Sequence, residues 1–239
     1  MPAGTDTVAM LGVLGGMGPL AGAHFMTRLT LLTPALRDQD HIPAVLWSDP
    51  RVPDRTRTHV PGAEDPLPAL LRGVAGLRGA GVGAIVIACN TAHGWYEPIR
   101  RAADMPVLHI VDAVNAELRQ IAAPPGPVGI VATEATLAMR LYQDGLEAQG
   151  WRCIAPPPAT MRRLVNPAIA MIKANRVAEA YAPLAACLGE LVAEGARAII
   201  LACTEIPMAL QAGPPLDVPM VDSIDALAKS AIAWWRGAA

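Results

Sequence analysis

Apolar residues fall in short unbroken runs along this chain, and nearly every run ends in a tight turn or polar cluster that leads into a helical pattern. The run at 8–14 ends in Gly15-Gly16-Met17-Gly18-Pro19 and precedes residues 20–32 at helical spacing. Pro19 suits a first helical turn, where a missing N–H removes no intrahelical bond. Residues 42–47 form a second run, and the polar, proline-rich stretch 48–57 after it is expected to be a loop over a sheet edge. An amphipathic helix is expected over 67–77, feeding the run 84–88, and 106–110 predicts another short strand. Runs of branched or small apolar residues bounded by turns predict strands buried on both faces, as in a parallel sheet.

After a helical pattern at 113–121, the stretch Ala122-Ala123-Pro124-Pro125-Gly126-Pro127 breaks the chain's character, and the pattern then restarts. Residues 128–131 are apolar and lead into Ala132-Thr133-Glu134-Ala135-Thr136, which opens a predicted helix running through 146. A short run at 151–155, a proline cluster and helical patterns at 164–173 and 177–194 follow, then an apolar run from 198 to 202 and a last helix over 222–235. The spacing repeats: Cys89 follows Gly15 by 74 residues, and Cys203 follows Ala132 by 71. The expected fold is therefore α/β, with two similar Rossmann-like halves on parallel sheets, related by a pseudo-twofold axis and facing each other across a cleft. Residues 1–112 with 216–239 would form one half and 113–215 the other.

Each half places a cysteine at the carboxyl end of a predicted central strand, Cys89 before Asn90-Thr91-Ala92-His93 and Cys203 before Thr204-Glu205. Open α/β sheets bind ligands at that end, where the following helix points free N–H groups into the crevice. A thiol there has its thiolate favoured by the local dipole. Two thiols facing one carbon suit stereoinversion, one removing a proton and the other returning it from the opposite face, with one thiolate and one thiol as the working state. The enediolate oxygens need donors, and Asn90, Thr91 and Thr204 are of the right kind. Cys153 and Cys187 are expected to be buried hydrophobes.

The turn Gly16-Met17-Gly18-Pro19-Leu20-Ala21 matches the spacing of a dinucleotide fingerprint. The acidic residues about twenty positions on, Asp38 and Asp40, precede the second strand instead of ending it, so the turn at Gly16 and Met17 is read as a backbone cradle for a carboxylate. Arg51, Arg55 and Arg57 share the loop after the second strand, and one of them is expected to grip a carboxylate through two parallel bonds. His93 reads equally as structural or catalytic.

Composition narrows the field. The 239 residues are 53% hydrophobic and 17% charged with net charge -2 and no run of like charge, which disfavours nucleic acid and anionic membranes as partners. No stretch approaches the roughly 20 apolar residues of a membrane span. The four cysteines show no paired spacing, so neither zinc nor a disulfide framework is indicated. The N-terminal residues lack the pattern of a signal peptide, and a cytoplasmic location is expected.

Together, Gly12-Val13-Leu14-Gly15-Gly16-Met17-Gly18-Pro19-Leu20-Ala21, Val52-Pro53-Asp54-Arg55-Thr56, Cys89-Asn90-Thr91-Ala92-His93, Ala132-Thr133-Glu134-Ala135-Thr136 and Cys203-Thr204-Glu205-Ile206-Pro207 resemble the cofactor-independent aspartate/glutamate racemase superfamily, most closely its aspartate racemase branch. The resemblance implies an active site between two domains, no pyridoxal phosphate or metal, and a homodimer. It implies Cys89 and Cys203 as acid/base thiols. Asn90, Thr91, Thr133, Thr136 and Thr204 would bind the α-carboxylate and amino group of a small acidic amino acid, and Arg55 and Lys173 its side-chain carboxylate. Ala135 and Ala202 stand where the family usually has glycine, so extra methyl groups near the bound carboxylate are expected. Rival readings are a glutamate or broad-specificity racemase, a cysteine-dependent isomerase or decarboxylase of small dicarboxylates, and a non-catalytic sensor of an acidic metabolite.

Overall fold

The computed structural model describes residues 9–57, 60–121 and 125–238. The start of the first expected run and residues 122–124 of the proline-rich break lie outside them. The first half runs β1 (Leu11–Gly15), α1 (Pro19–Leu32), β2 (Ala44–Ser48), α2 (Leu67–Gly79), β3 (Ala84–Ile87), α3 (Tyr96–Ala103), β4 (Val107–Leu108) and α4 (Ile110–Gln120). The second runs β5 (Val128–Ala132), α5 (Glu134–Ala138), α6 (Gln143–Glu147), β6 (Cys153–Ile154), α7 (Pro158–Thr160), α8 (Asn166–Lys173), α9 (Tyr181–Ala193), β7 (Ala198–Ala202), α10 (Ile206–Leu210), β8 (Met220–Asp222) and α11 (Ser223–Ala238).

Two four-stranded sheets form, ordered β2-β1-β3-β4 and β6-β5-β7-β8, and every pairing is parallel. The orders are the same pattern repeated, as the spacing of the two cysteines predicts. The repeat also corrects the division of the chain. Met220–Asp222 pairs with β7, so this part of the segment 216–239, assigned from sequence to the first half, completes the second sheet, as Val107–Leu108 completes the first.

Strand alternation sorts side chains into three cores. In β3 and β7, Ala84, Val86, Ala198 and Ile200 enter a core shared by both halves, together with Leu11, Ile130, Phe25 of α1, Val114 of α4 and Leu227 of α11. Ile85, Ile87 and Cys89 turn to the other face, and Ile199, Leu201 and Cys203 do the same in the second half. The two cysteines thus occupy matching register positions. Helix α11 packs on α1 and α4, and Arg28 of α1 grips Asp225 with two bonds of 2.5 and 2.7 Å, tying the last helix back to the first half as expected.

Several boundaries differ from the sequence reading for identifiable reasons. The helix expected through 146 is two short helices, because Arg140 between them takes a left-handed φ of 52°. The helix expected from 164 instead starts at Pro158 and passes through a π-helical turn, Met161–Val165, before α8. Pro167 has no N–H to give the preceding turn, and the widened π ladder accommodates it. Helix α4 begins at Ile110, which shortens the strand before it.

Candidate active site

Both β3 and β7 stop where their sequences leave the apolar run, and the residues that follow turn over the sheet ends. Cys89, Asn90, Thr91, Cys203, Thr204 and Glu205 line one cavity from opposite halves, joined by Met17, Arg55, Thr56, Thr133 and Lys173. Apart from Thr56 and Glu205, these are residues expected at the site. The cavity volume is about 10 Å³, room for about one water molecule, so the two sheet ends are closed on each other. Larger cavities of about 320 and 450 Å³ adjoin it, and Lys173 lines all three. Of the expected residues, Gly16 lines the first of these outer cavities. Thr136 acts from behind the wall through its hydroxyl.

The two halves meet through hydroxyls. Thr91 Oγ1 lies 3.0 Å from Thr133 Oγ1 and 2.9 Å from Thr136 Oγ1, all buried. Thr133 also caps α5, accepting from the Thr136 N–H at 3.2 Å. A small hydroxyl cluster therefore crosses the cleft beside Cys89.

Arg55 is the only one of the three loop arginines that is buried; Arg51 turns outward to Asp49. Its Nη1 donates to the carbonyls of Val52 and Pro53 at 3.1 and 2.8 Å, and its Nη2 to the Met17 carbonyl at 2.9 Å. Its Nε is buried with no partner among the described residues. The guanidinium is thus fixed by neutral carbonyls and keeps its charge unpaired by them. Gly16, at φ 87°, lets the turn pass the backbone of Asp49 so closely that a Cβ there would lie 2.3 Å from the Asp49 carbonyl oxygen. That contact requires glycine.

The expected carboxylate cradle holds the chain's own acid. The N–H of Gly18 points to Glu205 Oε1 at 3.4 Å, while Cys203 Sγ donates to Glu205 Oε2 at 3.1 Å. Burial and the adjacent Glu205 carboxylate hold the Cys203 thiol well above its ordinary range. This corrects the expectation of a lowered value: the local dipole is outweighed by desolvation and a like-signed neighbour. Glu205 was legible as a motif member two positions after the cysteine, but its role was not. Thr56 was likewise quoted without one.

His93 is structural. The Ile110 N–H donates to its Nε2 at 3.2 Å, so Nδ1 carries the proton and donates to the Cys89 carbonyl at 2.9 Å. Burial and neighbouring His109 lower its pKa to about 3, which keeps it neutral. Cys187 is buried as expected, whereas Cys153 is half-buried; their thiols are pushed up to about 12 and about 11, chiefly by burial, and stay protonated. Ala202 points into the shared core and Ala135 does not line the cavity, so the expected methyl groups do not narrow it.

Residues 14–231 match the family described as Asp/Glu/hydantoin racemase, and the chain belongs to that family. It is 31% identical to the broad specificity amino-acid racemase RacX of Bacillus subtilis over 93% of this chain and 96% of that protein. Among solved structures, Picrophilus torridus aspartate racemase superposes with a TM-score of 0.83 at 28% identity, covering 95% of this chain and 94% of that one. Glutamate racemase from Francisella tularensis, solved with D-glutamate, shares the fold at a TM-score of 0.73 and 19% identity, over 97% of this chain and 82% of its own. Among the described residues no helix is long and apolar enough to cross a membrane, and no group of three His, Cys, Asp or Glu side chains is placed to hold a metal.

Proposed function

We propose that this chain racemises an acidic amino acid, aspartate first, through Cys89 and Cys203 without an added cofactor. The observation that carries this reading is that both thiols line one closed cavity from opposite sheet ends. In the step, one thiolate takes the α-proton, the C–H electron pair moves into the carboxylate as an enediolate, and the other thiol gives its proton to the opposite face. Cys203 is held as a thiol by its surroundings, which suits it to the acid role in the resting site and leaves the base role to Cys89.

Charge supports an acidic substrate. Arg55 and Lys173 bring two cations to the cavity and Glu205 one carboxylate. An acidic amino acid offers two carboxylates to these two cations. Thr91, Thr133, Thr204 and the Asn90 amide supply donors for the α-carboxylate, where enediolate charge develops, and Thr136 orients the first two hydroxyls from behind.

A broader substrate range is the second reading, favoured by the relative named broad specificity and by the two larger cavities that Lys173 borders. A homodimer, implied by the resemblance, and a reducing compartment such as the cytoplasm, suited to four free cysteines, belong to the same proposal. Light scattering would then give twice the 25.0 kDa chain mass. Chiral chromatography after incubation with L-aspartate, L-glutamate and a panel of neutral amino acids tests the substrate. Conversion of aspartate above all others supports the first reading, equal conversion of neutral amino acids the second, and no conversion of any contradicts both.

A further inference from the structure

We infer that Tyr142 and Ser223, both from the second half of the fold, are positioning residues that lock the Asn90 amide of the first half with one N–H free for the substrate carboxylate. The inference rests on the racemase reading and adds to it two residues that lie outside every site motif.

The orientation of the Asn90 amide follows from a chain of donors. Ser223 Oγ gives its single proton to the Leu201 carbonyl at 2.8 Å, and a carbonyl can only accept. Toward Asn90, 3.0 Å away, Ser223 can therefore only accept, so the Asn90 atom facing it is Nδ2. The amide oxygen Oδ1 then faces the Tyr142 hydroxyl, which donates to it. Tyr142 is fully buried, and its burial near Cys203 and Asp222 holds the phenol well above its ordinary range, so it is a donor across the working pH. Asn90 and Ser223 are buried as well, which makes an unmet bond here costly.

One Nδ2 proton is spent on Ser223. The second has no use in this network, and Asn90 lines the cavity beside Cys89. Free rotation about χ2 would present oxygen to a carboxylate half of the time, a repulsive arrangement. The Tyr142 hydroxyl and the Ser223 lone pair forbid that flip. Because Asn90 follows β3 whereas Tyr142 and Ser223 belong to the second half, the amide is oriented by contacts between the halves.

The test has two parts. In the parent protein, exchange of the Asn90 Nδ2 proton held by Ser223, followed by nitrogen-edited NMR and assigned by its loss in Asn90→Ala, is expected to be slow. Tyr142→Phe and Ser223→Ala should each speed it at least about tenfold. Rapid exchange in the parent overturns the lock whatever the activity. In the second part, α-proton washout in deuterated water is measured with L-aspartate. Tyr142→Phe should lower kcat/KM about tenfold in the parent background, in line with loss of one buried, oriented bond. In an Asn90→Ala background it should change the rate less than twofold, because its partner is already gone. Tenfold losses in both backgrounds would show a general structural effect and overturn the inference. An inactive parent with a protected amide would sink the racemase reading and leave the lock standing.

Discussion

The thiol of Cys203 donates to Glu205, two residues further on, at 3.1 Å, and the other oxygen of that carboxylate faces the N–H of Gly18 in the opposite half. One side chain thus keeps a proton on a reactive sulfur and reaches across the cleft. Glu205→Gln preserves the shape and deletes the charge, so the Cys203 thiol should ionise more readily. The pH midpoint for alkylation of Cys203, followed by peptide mass spectrometry, should fall. An unmoved midpoint would mean that burial alone sets the thiol.

Cys89→Ala and Cys203→Ala should each lower kcat/KM by at least about a hundredfold, the scale of a lost acid or base. Each removes one buried sulfur, about 1 kcal/mol, so Tm should fall only about 2–4 °C. Activity within threefold of the parent in either variant contradicts the paired roles.

Arg55 and Lys173 line the same cavity but differ in what else they hold. Arg55→Ala strips charged donors from three backbone carbonyls and should cost roughly 2–4 kcal/mol, a Tm loss of about 4–16 °C. Lys173 is exposed, so Lys173→Ala should leave stability within about 0.5 kcal/mol while raising KM for aspartate about tenfold. Thermal melts beside steady-state kinetics would separate the two, and matching melts would contradict the assignment.

Two titratable groups oppose each other in acid. His93, lowered to about 3 in the fold, takes up its proton only on unfolding between that value and its ordinary 6.5, so its contribution to stability falls as pH falls. Asp222, raised to about 7 by burial and by Asp225, holds a proton in the fold that the unfolded chain has lost above 3.8, so its contribution falls as pH rises. Between about pH 4 and 6.5 the two slopes cancel. Asp222→Asn should unmask a gain of about 1.4 kcal/mol per pH unit over that window, read from urea unfolding. A flat profile in that variant would contradict the pairing.

The architecture was legible because it rests on local signals. Apolar runs ending in turns marked the central strands, and the repeated spacing to Cys89 and Cys203 marked the duplicated sheet order. What failed depended on distant partners. The helix through 146 broke at Arg140, a residue with no sequence signature for a left-handed φ, and 220–222 joined the second sheet, although the segment 216–239 was assigned to the first half. At the site, Arg55 was visible in its motif, yet its three carbonyl partners were not. Tyr142 and Ser223 were invisible, since each acts through Asn90 across the fold.

The most direct test of the two-thiol account is proton NMR of the parent protein with L-aspartate in deuterated water, without added cofactor, followed by chiral chromatography. The account predicts loss of the α-proton signal together with D-aspartate deuterated at that carbon, and no D-aspartate from either Cys89→Ala or Cys203→Ala. Retention of the α-proton by the parent with aspartate, glutamate and the neutral panel alike would contradict it.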